Sequence, residues 1–508
     1  MRRPASCCSL VLSLLALGCE GKLIEPRFPG NGNPPGTTPP VLALRLGAEG
    51  ADQITAVAVD PTGNAYVVGT FTASVDFDPA TSLNVLTSLG GADVFLAKYS
   101  PTGALIWADR IGGTGSETVN SLVRDAAGNL YLAGGFEGNV DFDPGPGLQV
   151  LNSSGGTDGY VAKFAGDGTI LWARRFGGVG ADDVRDLGVD GAGNVYIAGV
   201  FVTQADAAPL VGGAILSDGP LADGFLVSFD PSGALRWDMP IGGPGDDAVT
   251  AIAVSSGGSV TVAGVFRGTA DFARTAVSVR LTSFGGADVF LASYNGAGVL
   301  NWVHNIGGLN DEIVSPGGIA LDAVGGAALL GTFSGSVDFD PSSAIAARTS
   351  VGTQDIFLAR YTSAGAFTSV FSLGGLNGTA SATRVFIAPG DATLITGSFS
   401  GNFDFDPGAG THALASLGTG GATDAFVAEF SSLGGFAWVS RFGQVTSAGD
   451  HLNAGTSVSV DGTGSVLAVG RFFGSPDFDS GSGSFQLTSL GGADGFLVKL
   501  TSTGTLAR

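Results

Sequence analysis

Cysteine is nearly absent from this chain. Its 508 residues include three, Cys7, Cys8 and Cys19, all near the N-terminus, so no disulfide framework can hold the rest together. Charge is scarce as well. Only 13% of residues are Asp, Glu, Lys or Arg, and 23 basic residues against 45 acidic ones give a net charge of −22. That balance lacks the electrostatic footprint of a nucleic-acid binder, because an anionic polymer would be repelled. His304, His412 and His451 are the whole histidine complement, and none has a partner at metal or triad spacing. No long segment has the 3.6-residue apolar period of a helix. The N-terminal apolar run Leu10 to Leu17 is too short to span a bilayer stably.

What the chain has is glycine, 85 residues of it, and 44% hydrophobic residues, a balance that suits short strands joined by tight turns. It also has a period. The pair Gly69 and Phe71 returns as Gly134 and Phe136, Gly199 and Phe201, Gly264 and Phe266, Gly331 and Phe333, Gly397 and Phe399, and Gly470 and Phe472. The steps are 65, 65, 65, 67, 66 and 73 residues. Within the first unit, strand-like pieces fall at 54–59, 65–71, 93–99 and 104–111, separated by turns such as Asp60-Pro61-Thr62-Gly63-Asn64. Four strands in about 65 residues suit one propeller blade with a long loop, whereas a solenoid coil needs roughly 20 to 30. The expected fold is therefore all-β, a seven-bladed β-propeller with four-stranded blades.

The third strand of each unit is apolar except at one position, held by Lys98, Lys163, Ser228, Ser293, Arg360, Glu429 and Lys499. A strand covered on both faces has this pattern. Trp107, Trp172, Trp237, Trp302 and Trp438 recur on the fourth strand, with Ser369 in the corresponding place of the fifth unit. They suit packing between blades better than a ligand-stacking ring. The final unit ends before its fourth strand, and residues 41–47 match 106–112 position for position. The N-terminal strand is thus expected to join the last blade and close the ring, which removes an exposed sheet edge.

The pattern of a Gly-Gly turn, a strand, Asp-x-x-Gly-Asn and Tyr-x-x-Gly, as in Asp60 to Gly69, Asp125 to Gly134 and Asp190 to Gly199, resembles bacterial proteins built of the repeats named for a seven-bladed β-propeller (SBBP). The resemblance covers residues 41–508. It implies the propeller fold and an exported or surface location, and it implies no reaction. The Asn is missing from the units at Ser255, Asp322 and Asp461.

Residues 1–18, with Arg2 and Arg3 before the apolar run, have the layout of an export signal. Ala16-Leu17-Gly18-Cys19 resembles the bacterial lipobox, with Ala16 where that motif usually has Leu and Leu15 one step earlier. The resemblance implies a lipoprotein acylated at Cys19 and, through Glu20, sorted to an outer membrane. Several acyl chains suffice for stable anchoring. Residues 19–40, with Pro26, Pro29, Pro34, Pro35, Pro39 and Pro40, are expected to be a spacer between lipid and propeller.

Two acidic sets are candidates for chemistry. Asp-Phe-Asp occurs as Asp76 and Asp78, Asp141 and Asp143, Asp338 and Asp340, Asp404 and Asp406, and Asp477 and Asp479. Residues two apart on an extended chain face one way, so each pair offers the start of a Ca²⁺ site. Ca²⁺ takes six to eight oxygens, however. The first Asp recurs in every unit and the second in five, which favours a turn-forming Asp bonded to backbone. The other set is Asp93, Asp158, Asp223, Asp288, Asp355, Asp424 and Asp494, one per unit. Seven identical settings point to turn capping, and the same reasoning applies to Asp182-Asp183, Asp246-Asp247 and Asp311-Glu312.

The function expected from these readings is a non-catalytic, monomeric binding or scaffold lipoprotein of a bacterial cell envelope. It would present a loop face to a protein or glycan partner, with specificity at Thr203 to Asp223 and Gly443 to Asn453. The alternatives are an exported hydrolase or lyase acting on a polysaccharide at the channel, and a structural envelope protein stabilised by Ca²⁺.

Overall fold

The structure is a computed structural model and describes residues 42–78, 83–207, 215–273, 277–446 and 451–508, with backbone alone at 215–220. The expected signal segment 1–18, the acylation site Cys19 and the spacer 19–40 lie outside the described residues.

Each repeat folds into an antiparallel sheet. In blade 1 the strands are Gln53–Val59, Ala65–Phe71, Asp93–Tyr99 and Leu105–Gly113, within two residues of the sequence reading. The first turn forms because the Asp60 carboxylate accepts the N–H groups of Thr62 and Asn64, each at 2.9 Å, and the Asn64 side-chain amide at 2.8 Å. Gly63 sits at φ +84°, a conformation that costs glycine little. The second and third strands are buried on both faces, and Lys98 is the partly exposed position of the third, as its polarity predicts.

Seven blades follow one another in the chain. Blade 2 holds Ser121–Arg124, Leu130–Phe136, Asp158–Phe164 and Ile170–Phe176. Blade 3 holds Asp183–Val189, Val195–Asp206, Ile215–Phe229 and Leu235–Ile241. Blade 4 holds Ala248–Val254, Val260–Asp271, Arg280–Tyr294 and Leu300–Ile306. Blade 5 holds Ile313–Leu321, Ala327–Phe333, Asp355–Tyr361 and Phe367–Leu373. Blade 6 holds Thr379–Ile387, Thr393–Ser400, Asp424–Phe430 and Phe436–Phe442. Blade 7 takes Ala454–Val460, Val466–Phe472 and Asp494–Leu500 from the end of the chain and Ala43–Leu46 from its start.

That last strand closes the ring as the sequence predicts. Ala43 pairs with Val498 and Leu46 with Gly495. The first strands of adjacent blades pack together all the way round the axis, blade 7 against blade 1 included. Near the axis, hydroxyl and amide groups staple neighbours: Thr456 Oγ1 donates to the Ile54 carbonyl at 2.7 Å, Asn120 Nδ2 to Val184 at 2.9 Å, and Thr383 Oγ1 to Gly455 at 2.6 Å.

The core lies between blades, not within them. Each of seven apolar clusters draws on two adjacent blades, because a single sheet cannot cover its own faces. The tryptophans serve this packing. Nε1 of Trp172, Trp237, Trp302 and Trp438 donates to Pro231, Gly296, Ser363 and Ser502 on the next blade, at 3.0 to 3.1 Å. In blade 5, where Ser369 replaces Trp, Phe371 takes up the contact and its ring centroid lies 5.0 Å from that of Phe430.

Candidate functional surface

The tight turns within blades leave by one face of the ring, and the long second-to-third connections and links between blades leave by the other, here called the loop face. The Asp-Phe-Asp segments lie on it, each in a short hairpin that laps onto the preceding blade, as Val140 and Asp141 do by pairing with Gly113 and Gly112. The central Phe is fully buried in Phe77, Phe142, Phe339, Phe405 and Phe478. The first carboxylate accepts two backbone N–H groups of its own hairpin. For Asp76 these come from Asp78 and Asn84 at 3.0 and 2.9 Å, for Asp141 from Asp143 and Gln149 at 3.0 and 2.9 Å. Asp338, Asp404 and Asp477 repeat the arrangement, and so does Asp271, which has no second Asp. Asp143, Asp340, Asp406 and Asp479 accept the N–H two residues on at 2.8 to 2.9 Å. Among the described residues no three His, Cys, Asp or Glu side chains stand together as metal ligands. A hairpin offers Ca²⁺ two carboxylates already engaged with N–H donors, short of the shell that ion takes.

The second acidic set caps turns. Asp93, Asp158, Asp288, Asp355, Asp424 and Asp494 each accept a backbone N–H at 2.8 to 3.1 Å. All are buried against the glycine that ends the fourth strand, as Asp93 is against Gly112. A side chain at Gly112 would collide with the carboxylate. An arginine on the fourth strand answers this Asp in four blades: Arg110, Arg175 and Arg441 stand 3.7, 2.8 and 3.8 Å from Asp93, Asp158 and Asp424, and Arg45 stands 3.1 Å from Asp494. Blades 3, 4 and 5 have Pro240, Asn305 and Ser372 there. The sequence carried this signal in the recurrence of Arg three residues after the Trp position of the fourth strand, and the alternation of sheet faces hid which Asp it met.

A third set of acids stands at the start of blades 1 to 5. Asp52, Glu117, Asp182, Asp247 and Glu312 are buried; Asp52, Glu117, Asp182 and Glu312 accept an N–H from the loop that precedes them, as Glu117 Oε2 does from Gly113 at 3.1 Å and Glu312 Oε2 from Gly308 at 2.9 Å, and Asp247 accepts Arg267 N at 2.9 Å. Burial, aided by the neighbouring acids, pushes Glu117 and Glu312 up to about 7 and Asp182 up to about 6. Burial also raises Asp424 to about 6 and Asp494 to about 7 against the pull of Arg441 and Arg45.

Sevenfold repetition also fails in the links that join blades 3, 4 and 5. On the loop face between blades 3, 4 and 5 a cavity of about 550 Å³ opens, lined by Arg185, Thr250, Arg267, Ile313 and two acidic pairs, Asp246-Asp247 and Asp311-Glu312. The sequence reading discounted these pairs as a catalytic site because they repeat, and the structure divides them. Asp247 and Glu312 are the buried, repeated members, whereas Asp246 and Asp311 are exposed and occupy a position that is Ala51, Ser116 and Ala181 at other junctions. Asp246 accepts Ala222 N at 3.4 Å; Asp311 accepts Ala287 N at 2.8 Å and the Arg267 guanidinium at 2.9 Å. A roomier space of about 690 Å³ lies between blades 2 and 3, lined by Val150, Leu151, Arg174 and Ala207. Its Arg174 is taken up by the carbonyls of Gly233 and Ser232.

The histidines are apart and structural: His304 bonds the Gly365 carbonyl and stacks on Trp302, His412 stacks on Phe436, and His451 meets Gln444. The two irregular loops are described in part, Thr203 to Asp223 without 208–214 and Gly443 to Asn453 without 447–450.

The profile of the family described as Beta-propeller repeat (SBBP) matches residues 43–70 and 171–200. The chain is 25% identical over 410 residues to the regulatory protein FlaEY of Caulobacter vibrioides, covering 65% of this chain and 41% of that protein. It is 21% identical over 272 residues to an uncharacterized WD repeat-containing protein of Acanthamoeba polyphaga mimivirus, covering 48% of this chain and 19% of that one. It thus spans less than half the length of either relative. A protein of unknown function from Bacteroides caccae superposes with a TM-score of 0.33 at 9% identity, over 68% of this chain and 88% of that one. The internal period and the pairing of strands into seven four-stranded blades make this chain a seven-bladed β-propeller, and two of its segments are similar to the SBBP repeat.

Proposed function

We propose that the protein is a non-catalytic binding or scaffold module, held at a bacterial envelope by an acylated Cys19 and the 19–40 spacer, that presents its loop face to a protein or glycan partner. One observation carries the reading: Glu117, Asp182 and Glu312, whose pKa burial raises, hold one position repeated at the start of blades 2, 3 and 5 and accept backbone N–H groups there, so they serve the fold, while Asp246 and Asp311 depart from the repeat and are exposed around a cavity. A site that must recognise one partner needs such asymmetry, whereas packing does not. Function on repeat scaffolds resides in the loops that vary.

The test is a glycan-array and envelope-protein screen with the full chain, followed by a graft that gives residues 243–246 the sequence of residues 113–116. Loss of the captured partner after grafting supports the reading. Capture that survives the graft and equivalent replacement of the irregular loops counts against it.

A second reading rests on Glu312, which lines the cavity with its carboxyl near 7, in the range of a general acid. Polysaccharide turnover abolished by Glu312→Gln and retained in Glu117→Gln would install a hydrolase or lyase in place of the binding module.

A further inference from the structure

On the face from which the tight turns leave, the junctions between blades are packed in different ways. The second residue of the second strand is Tyr66, Tyr131 or Tyr196 in blades 1, 2 and 3, each under a cation. Lys98 Nζ lies 4.7 Å from the Tyr66 ring centroid, Lys163 Nζ 5.1 Å from that of Tyr131, and the Arg236 guanidinium 5.7 Å from that of Tyr196. These side chains fill the junction with the next blade, where Tyr66 Oη donates to the Gly166 carbonyl at 3.4 Å. Blade 4 has Thr261 opposite Ser293 in the register of Tyr66 and Lys98, with Asn301 in place of Arg236 and Ser255 in place of Asp60. Its junction with blade 5 is hollow. A recess of about 310 Å³ is lined there by those four residues and by Val324 and Ser363 of blade 5, and no lining residue carries a charge. In its wall Thr261 is only 5% exposed, and Oγ1 of that residue has no hydrogen-bond partner among the described residues. The next junction, where Ala328 holds the position, opens to about 340 Å³ but is lined by Asp322, Arg360 and Asp391.

We propose that the uncharged recess between blades 4 and 5 binds one ring of a neutral oligosaccharide, at a site separate from the loop-face role above. Its volume is at the lower end for ligand pockets and gives room for a single sugar. A charged ligand would lose its hydration there with no counter-charge to meet it. An apolar one would displace water from the Thr261 hydroxyl and give it no partner in return. Sugar hydroxyls both donate and accept, as do those of Ser and Thr, and the Asn301 amide does both through separate atoms. Val324, 83% exposed where Thr62, Ala127, Ala192 and Gly257 stand in blades 1 to 4, offers an aliphatic surface to the C–H face of the ring. It also borders the charged recess, toward which the next ring of the chain extends.

The experiment titrates the full chain with neutral hexasaccharides of glucose, mannose, galactose and N-acetylglucosamine, by calorimetry and saturation-transfer NMR, with oligogalacturonate and a neutral Gly-Ser peptide as controls. A neutral hexasaccharide binds and neither control does. Thr261→Tyr with Ser293→Lys, which restores the packing of blades 1 and 2, weakens binding by about tenfold or more, and Thr261→Val, which keeps the shape and removes one hydroxyl, weakens it by about threefold. The loop-face graft at residues 243–246 leaves it unchanged, which separates this site from the loop-face role. Absence of binding by all of the neutral sugars overturns the inference, as does equal binding of the Gly-Ser peptide or of oligogalacturonate. Binding that survives both Thr261 variants overturns it too. Loss on the loop-face graft alone assigns the glycan to the loop face and overturns this site while leaving the binding role in place.

Discussion

Arg45, the third residue of the described N-terminal strand, places its Nη1 3.1 Å from Oδ2 of Asp494, 449 residues away in the same blade. The pair joins the two ends of the chain across the seam of the ring. Asp494 is fully buried, and removal of Arg45, the one cation that meets it among the described residues, leaves an uncompensated carboxylate. Arg45→Ala should therefore cost about 3 kcal/mol at pH 8, measured by urea denaturation. Because Asp494 titrates near 7, the cost should shrink at pH 5, where the carboxyl is neutral in either protein. An equal loss at both pH values would mean that Arg45 acts through packing alone.

Stability should rise as pH is lowered from 8 to about 5. Glu117, Glu312 and Asp494 are raised to about 7 and Asp182 and Asp424 to about 6 by burial, against about 4 in an unfolded chain. Between those values the folded protein holds protons that the unfolded chain has released, so stability is lost as pH climbs through the window. Below pH 4 the trend reverses, since bonds from Asn64 and Thr62 overcome the opposing push of burial and hold Asp60 at about 2. Its contribution disappears as pH falls through that value. Glu117→Gln keeps an acceptor for Gly113 N and should flatten the slope between pH 5 and pH 8; a urea midpoint that climbs with pH there would refute the assignment.

Phe142 is fully buried between blades 1 and 2, and Phe142→Ala should cost about 3 to 5 kcal/mol. Blade 3 has Ala207 at the equivalent position, and the space is filled from across the interface, where Phe176 stacks on Phe225 with ring centroids 3.8 Å apart. Ala207→Phe alone should overpack the junction and cost about 1 to 3 kcal/mol. Adding Phe176→Ile, the residue type found at Ile111 and Ile241, should recover most of it. Additive losses in the double variant would show that the two rings do not share the space.

Melting temperature should be insensitive to Ca²⁺ and to chelator, because the Asp-Phe-Asp carboxylates already accept N–H bonds from their hairpins. Asp141→Ala removes two such acceptances and should cost about 1 to 3 kcal/mol with or without Ca²⁺. A rise of several degrees on adding Ca²⁺, lost in that variant, would make the hairpins cation sites.

Much of the fold was legible because it depends on local chemistry repeated in one order. The steps between Gly69 and its counterparts, the apolar third strands, the Asp60 turn and the match of residues 41–47 to 106–112 are all statements about neighbours in the chain, and they determined blade count, strand identity and closure. The tertiary structure alone decided what each side chain meets on the next blade. Trp172 bonds Pro231, Phe371 stands in for a missing Trp, and Phe176 replaces the Phe absent at Ala207. Asp246 and Asp247 are adjacent in sequence, yet one is exposed and the other buried. Sequence pattern records the polarity of a residue, but burial and partnership here arise where two separate sheets meet, tens of residues apart in the chain, and only the closed ring brings those surfaces together.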